Sequence, residues 1–267
     1  MWYSVRMSFL EAIVLGITQG LTEFIPVSSS GHLILVHKFF GSSTNDLALD
    51  AVLQLATVLA VLVYFRLELW TLIKNTISIV LRKPVEQKDK TLVGALFFGT
   101  IPAIILGLLL ESKIETAFRS IHLVAYGLLA GSILMFIADR MVKASTPLTT
   151  KKGVIIGFFQ SLALVPGVSR SGATISGGLL QGLSREEATR FSFLLSFPII
   201  FGSGLKKLLD LFNTAGGITG PQLVACAVAF IVGLFCIHYL LKYLKTHSLS
   251  IFIWYRVVLA MIILLLL

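Results

Sequence analysis

Stretches of about 20 apolar residues, separated by short polar segments, recur along most of this chain. A helix needs about 20 predominantly apolar residues to cross the hydrocarbon core of a bilayer, because each residue adds about 1.5 Å. The pattern therefore predicts membrane-spanning helices, and its repetition argues against a secretory signal. Six candidate spans result, at residues 47–65, 92–110, 121–138, 191–212, 222–241 and 249–267.

Two further apolar segments are broken by polar residues before they can form a complete span. Residues 9–25 run into PVSSSGH and then the short segment 33–40. Residues 154–165 run into PGVSRSG and then the Gly-rich segment 173–183. This order indicates a re-entrant hairpin, because broken backbone at membrane depth is tolerated only inside protein or beside a water-filled cavity. An ordinary helix followed by a loop outside the membrane is the alternative.

The two broken segments are copies of one another. Residues 16–34 and 157–175 align without a gap at an offset of 141, with eight identities in nineteen positions. The copies differ in charge, since the first carries Glu23 and His32 and the second carries Arg170. The duplication has therefore divided one charged site between two halves. The identical pairs are Gly16/Gly157, Gln19/Gln160, Leu21/Leu162, Val27/Val168, Ser28/Ser169, Ser30/Ser171, Gly31/Gly172 and Ile34/Ile175.

Each half of the chain then contains one hairpin and three predicted spans. An odd number of crossings inverts the second half relative to the first, so that both hairpin tips can meet near the middle of the membrane. We expect an all-α integral membrane protein with an inverted-topology repeat, six transmembrane helices and two re-entrant helix-loop-helix hairpins. Residues 1–267 would form a single polytopic membrane domain, with repeat halves at about residues 1–140 and 141–267.

Composition and charge agree with a membrane protein. Of the residues, 56% are hydrophobic and only 13% are charged, with a mean hydropathy of +0.93, whereas soluble domains are about 25% charged. Fourteen of the 22 Lys and Arg residues fall in predicted loops and turns on one side, at residues 66–90, 139–152, 185–190 and 242–245. The positive-inside rule makes that side cytoplasmic and places both termini opposite. The net charge of +9 needs no nucleic-acid partner.

Charged residues inside apolar sequence are candidate functional residues, because a charge at mid-bilayer costs roughly 2.5–3.5 kcal/mol on insertion scales. Glu23 follows Gln19 by four positions, so both side chains lie on one helix face and offer oxygen ligands. Oxygen-only ligation suits Mg²⁺ or Ca²⁺ and not zinc. A buried Glu23 paired with an arginine is the alternative interpretation.

The polar breaks carry groups suited to phosphate chemistry. In the first break, small residues let backbone amides converge on an anion, and the imidazole of His32 can transfer protons near neutral pH. In the second break, Arg170 offers a rigid fork for phosphate oxygens. Arg256, in the last span, is either a second phosphate ligand or the partner of Asp50 or Glu23. The accompanying candidates for substrate binding are Ser28, Ser30, Ser169, Ser171, Gly172 and Thr174.

These motifs closely resemble the undecaprenyl-diphosphatase family, also called the bacitracin-resistance protein family. The resemblance covers essentially the whole chain, and the matching runs are QGLTEFIPVSSSGHLI, LDAVLQLATVLAV, GTIPAIILGLLL, PGVSRSGATISGGLLQGLSREEATRFSFLLSFP and the closing YR. The family's paired acidic motif falls on Gln19 and Glu23, its PGxSRSxxT motif on residues 166–174, and its late arginine on Arg256. Many members have Glu where this chain has Gln19, which makes Gln19 a weaker metal ligand than Glu23.

The resemblance implies an integral membrane hydrolase that removes the terminal phosphate of undecaprenyl diphosphate with the help of a divalent cation. The monophosphate product is the carrier lipid of peptidoglycan synthesis, so the family acts in cell wall biogenesis and bacitracin resistance. The resemblance also implies a multi-pass protein of the bacterial cytoplasmic membrane, with its active site open to the outer face. We expect Glu23, Ser29, His32 and Arg170 to be catalytic, and Glu23 and Gln19 to bind the cation.

The sequence leaves the attacking group open. Ser29 is the preferred nucleophile, because it occupies the repeat position of Arg170 and the two should face each other across a two-fold axis. His32 and a metal-activated water are the alternatives. An inverted repeat is also a carrier architecture, so a flippase for the lipid monophosphate is the alternative function. The partner is a polyprenyl diphosphate within membrane lipid, and a homodimer is one of the open oligomeric states.

Overall fold

The computed structural model describes residues 7–41, 47–117, 120–142, 146–215 and 218–266. These residues form eleven α-helices and one 3-10 turn, with no strand among them, which confirms an all-α protein. The helices are α1 (Phe9–Thr22), α2 (Ser29–Phe40), α3 (Leu47–Tyr64), α4 (Arg66–Val80), α5 (Gln87–Ala117), α6 (Ile121–Arg140), α7 (Thr150–Ser161), α8 (Arg170–Leu180), α9 (Arg185–Ala215), α10 (Gly220–Leu244) and α11 (Ser250–Leu266), with the 3-10 turn at Leu162–Leu164.

Four helices of the described chain, α5, α6, α9 and α10, are long and apolar enough to cross a bilayer. Helices α3 and α4 form a fifth candidate as a pair, although they are bent by 83° where they meet at Phe65. Helix α11 is strongly apolar but has 17 described residues, fewer than the others. The protein is therefore a multi-pass membrane protein, and the count of six complete spans stays a prediction.

The segment after the first predicted span is only partly a loop. Helix α4 occupies Arg66–Val80, so the prediction of a loop throughout residues 66–90 is wrong for its first part. Trp70, Ile73 and Ile77 on this helix are exposed. Apolar side chains on a helix bent away from the preceding span are typical of a helix that lies in the membrane interface.

The internal repeat is visible in the positions at which helices begin. Helices α1 and α7 begin at Phe9 and Thr150, and helices α2 and α8 begin at Ser29 and Arg170. Each pair is separated by the 141 residues of the sequence repeat. The duplicated sequence thus folds twice into the same order of helix, break and short helix.

Each hairpin tip contains a serine with left-handed backbone geometry. Ser28 has a φ of 75° and Ser169 a φ of 72°, a region that costs a non-glycine residue on the order of 1–3 kcal/mol. In both tips the hydroxyl of this serine lies 3.2 Å from that of the serine two residues later. The tips therefore share one local geometry, while their entry from opposite membrane faces stays a prediction.

Glycines allow the hairpins to pack tightly against the long helices. Helix α1 packs along α10, and its repeat counterpart α7 packs along α5. A Cβ atom on Gly16 would overlap the carbonyl oxygen of Ala225, and one on Gly157 would overlap that of Gly99. Such small residues bring helix backbones together in membranes, where van der Waals packing drives association.

Helix α8 lies deep in the protein, which places the second tip in the interior. It packs against α6, α7 and α9, and nine of its eleven residues are buried. The outer surface is apolar instead, with large exposed side chains such as Leu108, Leu109 and Phe235. Several buried polar residues, such as Gln19, Glu23 and Ser171, lie where the tips meet.

Candidate active site

The two hairpin tips meet at an ion pair between their charged residues. Nη2 of Arg170, the first residue of α8, lies 2.8 Å from Oε1 of Glu23, which caps the end of α1. The two side chains are only 13% and 5% exposed. Ser171 adds a hydrogen bond from its Oγ to the carbonyl oxygen of Ile25 at 3.4 Å. The pairing of Glu23 with an arginine, left open by the sequence, is therefore present.

The Glu23 carboxylate also accepts hydrogen bonds from its own repeat half. Its Oε2 accepts from Oγ of Ser29 at 2.7 Å and from Nε2 of Gln19 at 3.0 Å. Ser29 and Arg170, which hold equivalent repeat positions, thus contact the two oxygens of one carboxylate. We refer to Gln19, Glu23, Ser29 and Arg170 as the Glu23 cluster.

Two atoms of the Glu23 cluster are buried without a hydrogen-bond partner in the described structure. They are Nη1 of Arg170 and Oε1 of Gln19. Buried polar atoms are nearly always paired, so these two indicate space for a ligand or for ordered water. A guanidinium nitrogen can only donate, so Nη1 needs an acceptor such as a phosphate oxygen or a water. An amide oxygen requires a donor or a cation.

The Glu23 cluster fits a divalent cation that is shared with a bound ligand. Glu23 and Gln19 offer a carboxylate and an unpaired amide oxygen. Among the described residues no group of three or more His, Cys, Asp or Glu side chains is arranged to hold a metal. Mg²⁺ is usually held by one or two carboxylates together with substrate phosphates. The donor set therefore suits a cation completed by phosphate oxygens and not an all-protein metal site.

His32 lies on α2, one turn after the first tip, and both of its ring nitrogens have partners. Nδ1 lies 2.7 Å from the carbonyl oxygen of Ser28, and Nε2 lies 2.6 Å from the hydroxyl of Tyr255 on α11. Neither partner belongs to the Glu23 cluster. Sequence reasoning missed Tyr255, although it is the tyrosine of the closing YR, because 223 positions separate it from His32.

Several predicted substrate-binding residues form the frame of the tips. Oγ of Ser169 accepts the backbone N–H of Gly172 at 3.2 Å and so caps α8. Thr174 is fully buried, donates to the carbonyl oxygen of Arg170 at 2.8 Å, and shares a hydrogen bond with the hydroxyl of Ser192. The hydroxyl of Thr174 therefore binds protein oxygens in this structure, and its contact with phosphate stays a prediction.

Arg256 is fully buried and binds the backbone of both tips. Its Nη1 donates to the carbonyl oxygen of Pro26 at 3.2 Å, and its Nη2 donates to those of Gly167 and Val168 at 3.0 Å. Nε donates to Oγ of Ser132 at 3.1 Å. All three nitrogens thus bind protein oxygens. Arg256 thus connects the backbone of the two tips, and its role as a phosphate ligand or as the partner of Asp50 or Glu23 stays a prediction.

Comparison with known proteins identifies the family to which the chain belongs. The family model described as bacitracin resistance protein BacA matches residues 12–262. An undecaprenyl-diphosphatase of Mycolicibacterium smegmatis is 45% identical over 269 residues, covering 98% of this chain and 97% of the relative. Those of Micrococcus luteus and an Arthrobacter species are 43% and 40% identical, and cover 95% and 99% of this chain and 95% and 96% of the relatives. The matched length includes both hairpin tips, and the chain belongs to the bacitracin resistance protein BacA family.

Proposed function

We propose that this protein is an undecaprenyl-diphosphatase, a membrane hydrolase that converts undecaprenyl diphosphate to undecaprenyl phosphate and inorganic phosphate. The observation that carries the proposal is the contact of Ser29 and Arg170 with the same carboxylate, at 2.7 and 2.8 Å, while Nη1 of Arg170 stays unpaired. A hydroxyl bonded to a carboxylate, beside a guanidinium that has one nitrogen without a partner, is suited to phosphoryl transfer. The printed names of the relatives support the choice of substrate.

The mechanism begins with the ion pair between Arg170 and Glu23. The terminal phosphate binds at Nη1 of Arg170 and draws the guanidinium away from the carboxylate. Oε2 of Glu23 is placed to accept the proton of the Ser29 hydroxyl that it already binds at 2.7 Å. Oγ of Ser29 then attacks the terminal phosphorus, its proton moves to Glu23, and the bond from phosphorus to the bridging oxygen breaks.

The second half of the reaction returns the enzyme to its starting state. The lipid monophosphate leaves with the proton held by Glu23, and Ser29 carries the phosphoryl group. Water attacks this phosphorus, Glu23 accepts the water proton, and Oγ of Ser29 regains it as inorganic phosphate departs. Arg170 stabilises the charge on the equatorial oxygens in both steps.

We propose that Glu23 and Gln19 hold a divalent cation, Mg²⁺ or Ca²⁺, together with the phosphate oxygens. When bound, the cation neutralises charge on the substrate. Gln19→Glu adds a second carboxylate, so half-maximal activity should need less cation than in the wild type. Glu23→Gln is isosteric and should be nearly inactive at any cation concentration. An unchanged cation requirement in Gln19→Glu would place the cation elsewhere.

Among the possible attacking groups, the contacts favour Ser29. Attack by His32 would require one of its two ring hydrogen bonds, to Ser28 or to Tyr255, to break first. Ser29 already donates to a carboxylate and needs no rearrangement. Direct attack by water remains the third alternative, and it would leave no phosphorylated enzyme.

The proposal also assigns a location and a role in the cell. The protein lies in the bacterial cytoplasmic membrane with its active site open to the outer face, where it returns carrier lipid to peptidoglycan synthesis. The predicted concentration of Lys and Arg in the loops of one side supports this orientation. Consumption of the lipid diphosphate that bacitracin binds accounts for resistance in the family.

Phosphate release decides between the hydrolase and a flippase for the lipid monophosphate. Purified protein in detergent should release phosphate from undecaprenyl diphosphate and leave the monophosphate lipid. Ser29→Ala, which keeps Arg170 and the fold, is the matched inactive control. A flippase needs an anion-binding arginine but no nucleophile, so absence of phosphate release from wild-type protein would reject the proposal.

A further inference from the structure

Tyr255 contacts His32 in two ways. The Tyr255 hydroxyl lies 2.6 Å from Nε2 of His32, and the two rings are stacked with 5.6 Å between centroids and 7° between planes. Tyr255 comes from α11, at the other end of the chain, and is 47% exposed, whereas His32 is partly buried. A hydrogen bond combined with a parallel stack leaves the imidazole ring little freedom to rotate.

The partners of His32 define which nitrogen carries its proton. The carbonyl oxygen of Ser28 can only accept a hydrogen bond, so Nδ1, at 2.7 Å, must be the protonated nitrogen of the neutral ring. Nε2 then has a lone pair and accepts the O–H of Tyr255. The hydrogen bonds run in one direction, from Tyr255 through His32 to Ser28.

We propose that Tyr255 is a positioning residue for His32, which fixes the tautomer and the orientation of the imidazole beside the Glu23 cluster. Without the tyrosine hydroxyl, only the hydrogen bond from Nδ1 to Ser28 would hold the ring, so its preference for one tautomer and one orientation would weaken. The inference rests on the proposed function, since the held imidazole in turn binds the carbonyl oxygen of Ser28, the residue before the proposed nucleophile Ser29.

Helix α11 thereby supports the first tip through two consecutive residues. Arg256 binds the carbonyl oxygen of Pro26 from inside the protein, and Tyr255 holds His32 from the exposed side. Consecutive helical residues point about 100° apart, so one helix can reach the backbone and the histidine of the same tip. The closing YR thus acts as a unit on a tip more than 220 positions away.

The kinetic test replaces the hydroxyl and keeps the ring. Tyr255→Phe retains the stack on His32 but removes the hydrogen bond, and kcat should fall about 10-fold, as for other groups that orient a histidine ring. KM for undecaprenyl diphosphate should change little, because Tyr255 does not belong to the anion site. Tyr126→Phe is the matched control, since Tyr126 is also an exposed tyrosine on a helix, α6. Normal kcat in Tyr255→Phe would overturn the proposal.

A spectroscopic test judges the same inference without any substrate. Protein labelled with ¹⁵N-histidine should show His32, identified by its loss in His32→Gln, as the single tautomer protonated on Nδ1. Tyr255→Phe should shift that signal toward a mixture of tautomers, while Tyr126→Phe leaves it unchanged. A wild-type ring protonated on Nε2, or identical spectra in wild type and Tyr255→Phe, would overturn the inference. If wild-type protein releases no phosphate, the proposed function fails, and the spectra still decide the role of Tyr255.

Discussion

At the scale of single residues, the site depends on two positions that the repeat made equivalent and later substitutions made different. Ser29 and Arg170 each begin a short helix after a strained serine. Ser29 has a short side chain with a hydroxyl, Arg170 has a long cationic side chain, and both contact the Glu23 carboxylate. Substitutions at these two positions therefore test the nucleophile and the anion site separately.

The first prediction concerns the serines of the first tip. Ser29→Ala should abolish turnover, because no other hydroxyl is bonded to Glu23 in the described structure. Ser30→Ala removes only the hydrogen bond between two tip hydroxyls, so activity should be reduced and not lost. Phosphate release by each purified variant is the measurement. Rapid quenching during wild-type turnover should trap phosphoserine at position 29. Phosphohistidine at position 32 would instead identify His32 as the nucleophile.

The second prediction concerns the geometry of the guanidinium. Arg170→Lys keeps the positive charge near Glu23 but removes the fork whose Nη2 binds Glu23 and whose Nη1 is proposed to bind phosphate. We expect a loss of about 2–4 kcal/mol in transition-state stabilisation, as for removal of one oxyanion donor, measured as kcat/KM. Turnover close to the wild-type rate would show that charge alone suffices and that the fork has no catalytic role.

At the scale of helices, the site is held by backbone contacts between the hairpins and the long helices. Helix α7 reaches α5 through Gly157 and Gly99, and helix α1 reaches α10 through Gly16. These contacts place the ends of α1 and α7, and therefore the two tips, at a fixed separation. A larger side chain at such a crossing should act on the stability of the whole arrangement.

The third prediction tests this packing. Gly157→Ala places a methyl group on the carbonyl of Gly99 and should lower the free energy of unfolding by about 1–3 kcal/mol through overpacking. Gly202→Ala is the control, because a Cβ atom there meets nothing within 4 Å, and helix propensity should make it neutral or stabilising by up to about 1 kcal/mol. Thermal unfolding in detergent measures both variants. Equal melting temperatures would show that α5 and α7 can separate freely.

At the scale of the whole molecule, we predict that the tips meet because the two halves have opposite orientations in the membrane. Equivalent helix starts and equivalent tip geometry agree with two copies of one unit. Contact between Glu23 and Arg170 from different copies agrees with tips that approach each other. The orientation of each half relative to the membrane follows from the distribution of Lys and Arg and can be measured directly.

The fourth prediction uses single cysteines in a background with Cys226→Ala and Cys236→Ala. Lys38→Cys, at the exposed end of α2, should react with a membrane-impermeant maleimide added outside intact cells. Lys151→Cys, at the exposed start of α7, should react only after the membrane is opened. Lys88→Cys, at the start of α5 on the predicted cytoplasmic side, is a second inside control. Reaction of Lys38→Cys and Lys151→Cys from the same side would contradict the inversion.

Much of the fold could be predicted from local pattern, and the exceptions have physical reasons. The spans at α5, α6, α9 and α10 were predicted because apolar length alone specifies a membrane helix. Helix α4 was missed because its mixed sequence resembles a polar connection. The structure shows that this segment is helical and packs beside α5. The strained serines could not be predicted from residue type, since serine seldom adopts positive φ.

The sequence by itself determined the membrane class, the duplicated tips and the identity of the charged residues within them, because hydropathy and repetition are properties of neighbouring positions. Only the tertiary structure decided which groups meet. It pairs Glu23 with Arg170 across 147 positions, assigns Arg256 to the backbone of both tips, and brings Tyr255 to His32. The sequence shows that a residue is arginine but not whether it binds phosphate or carbonyl oxygens. Only the atoms around it in the structure distinguish these two roles.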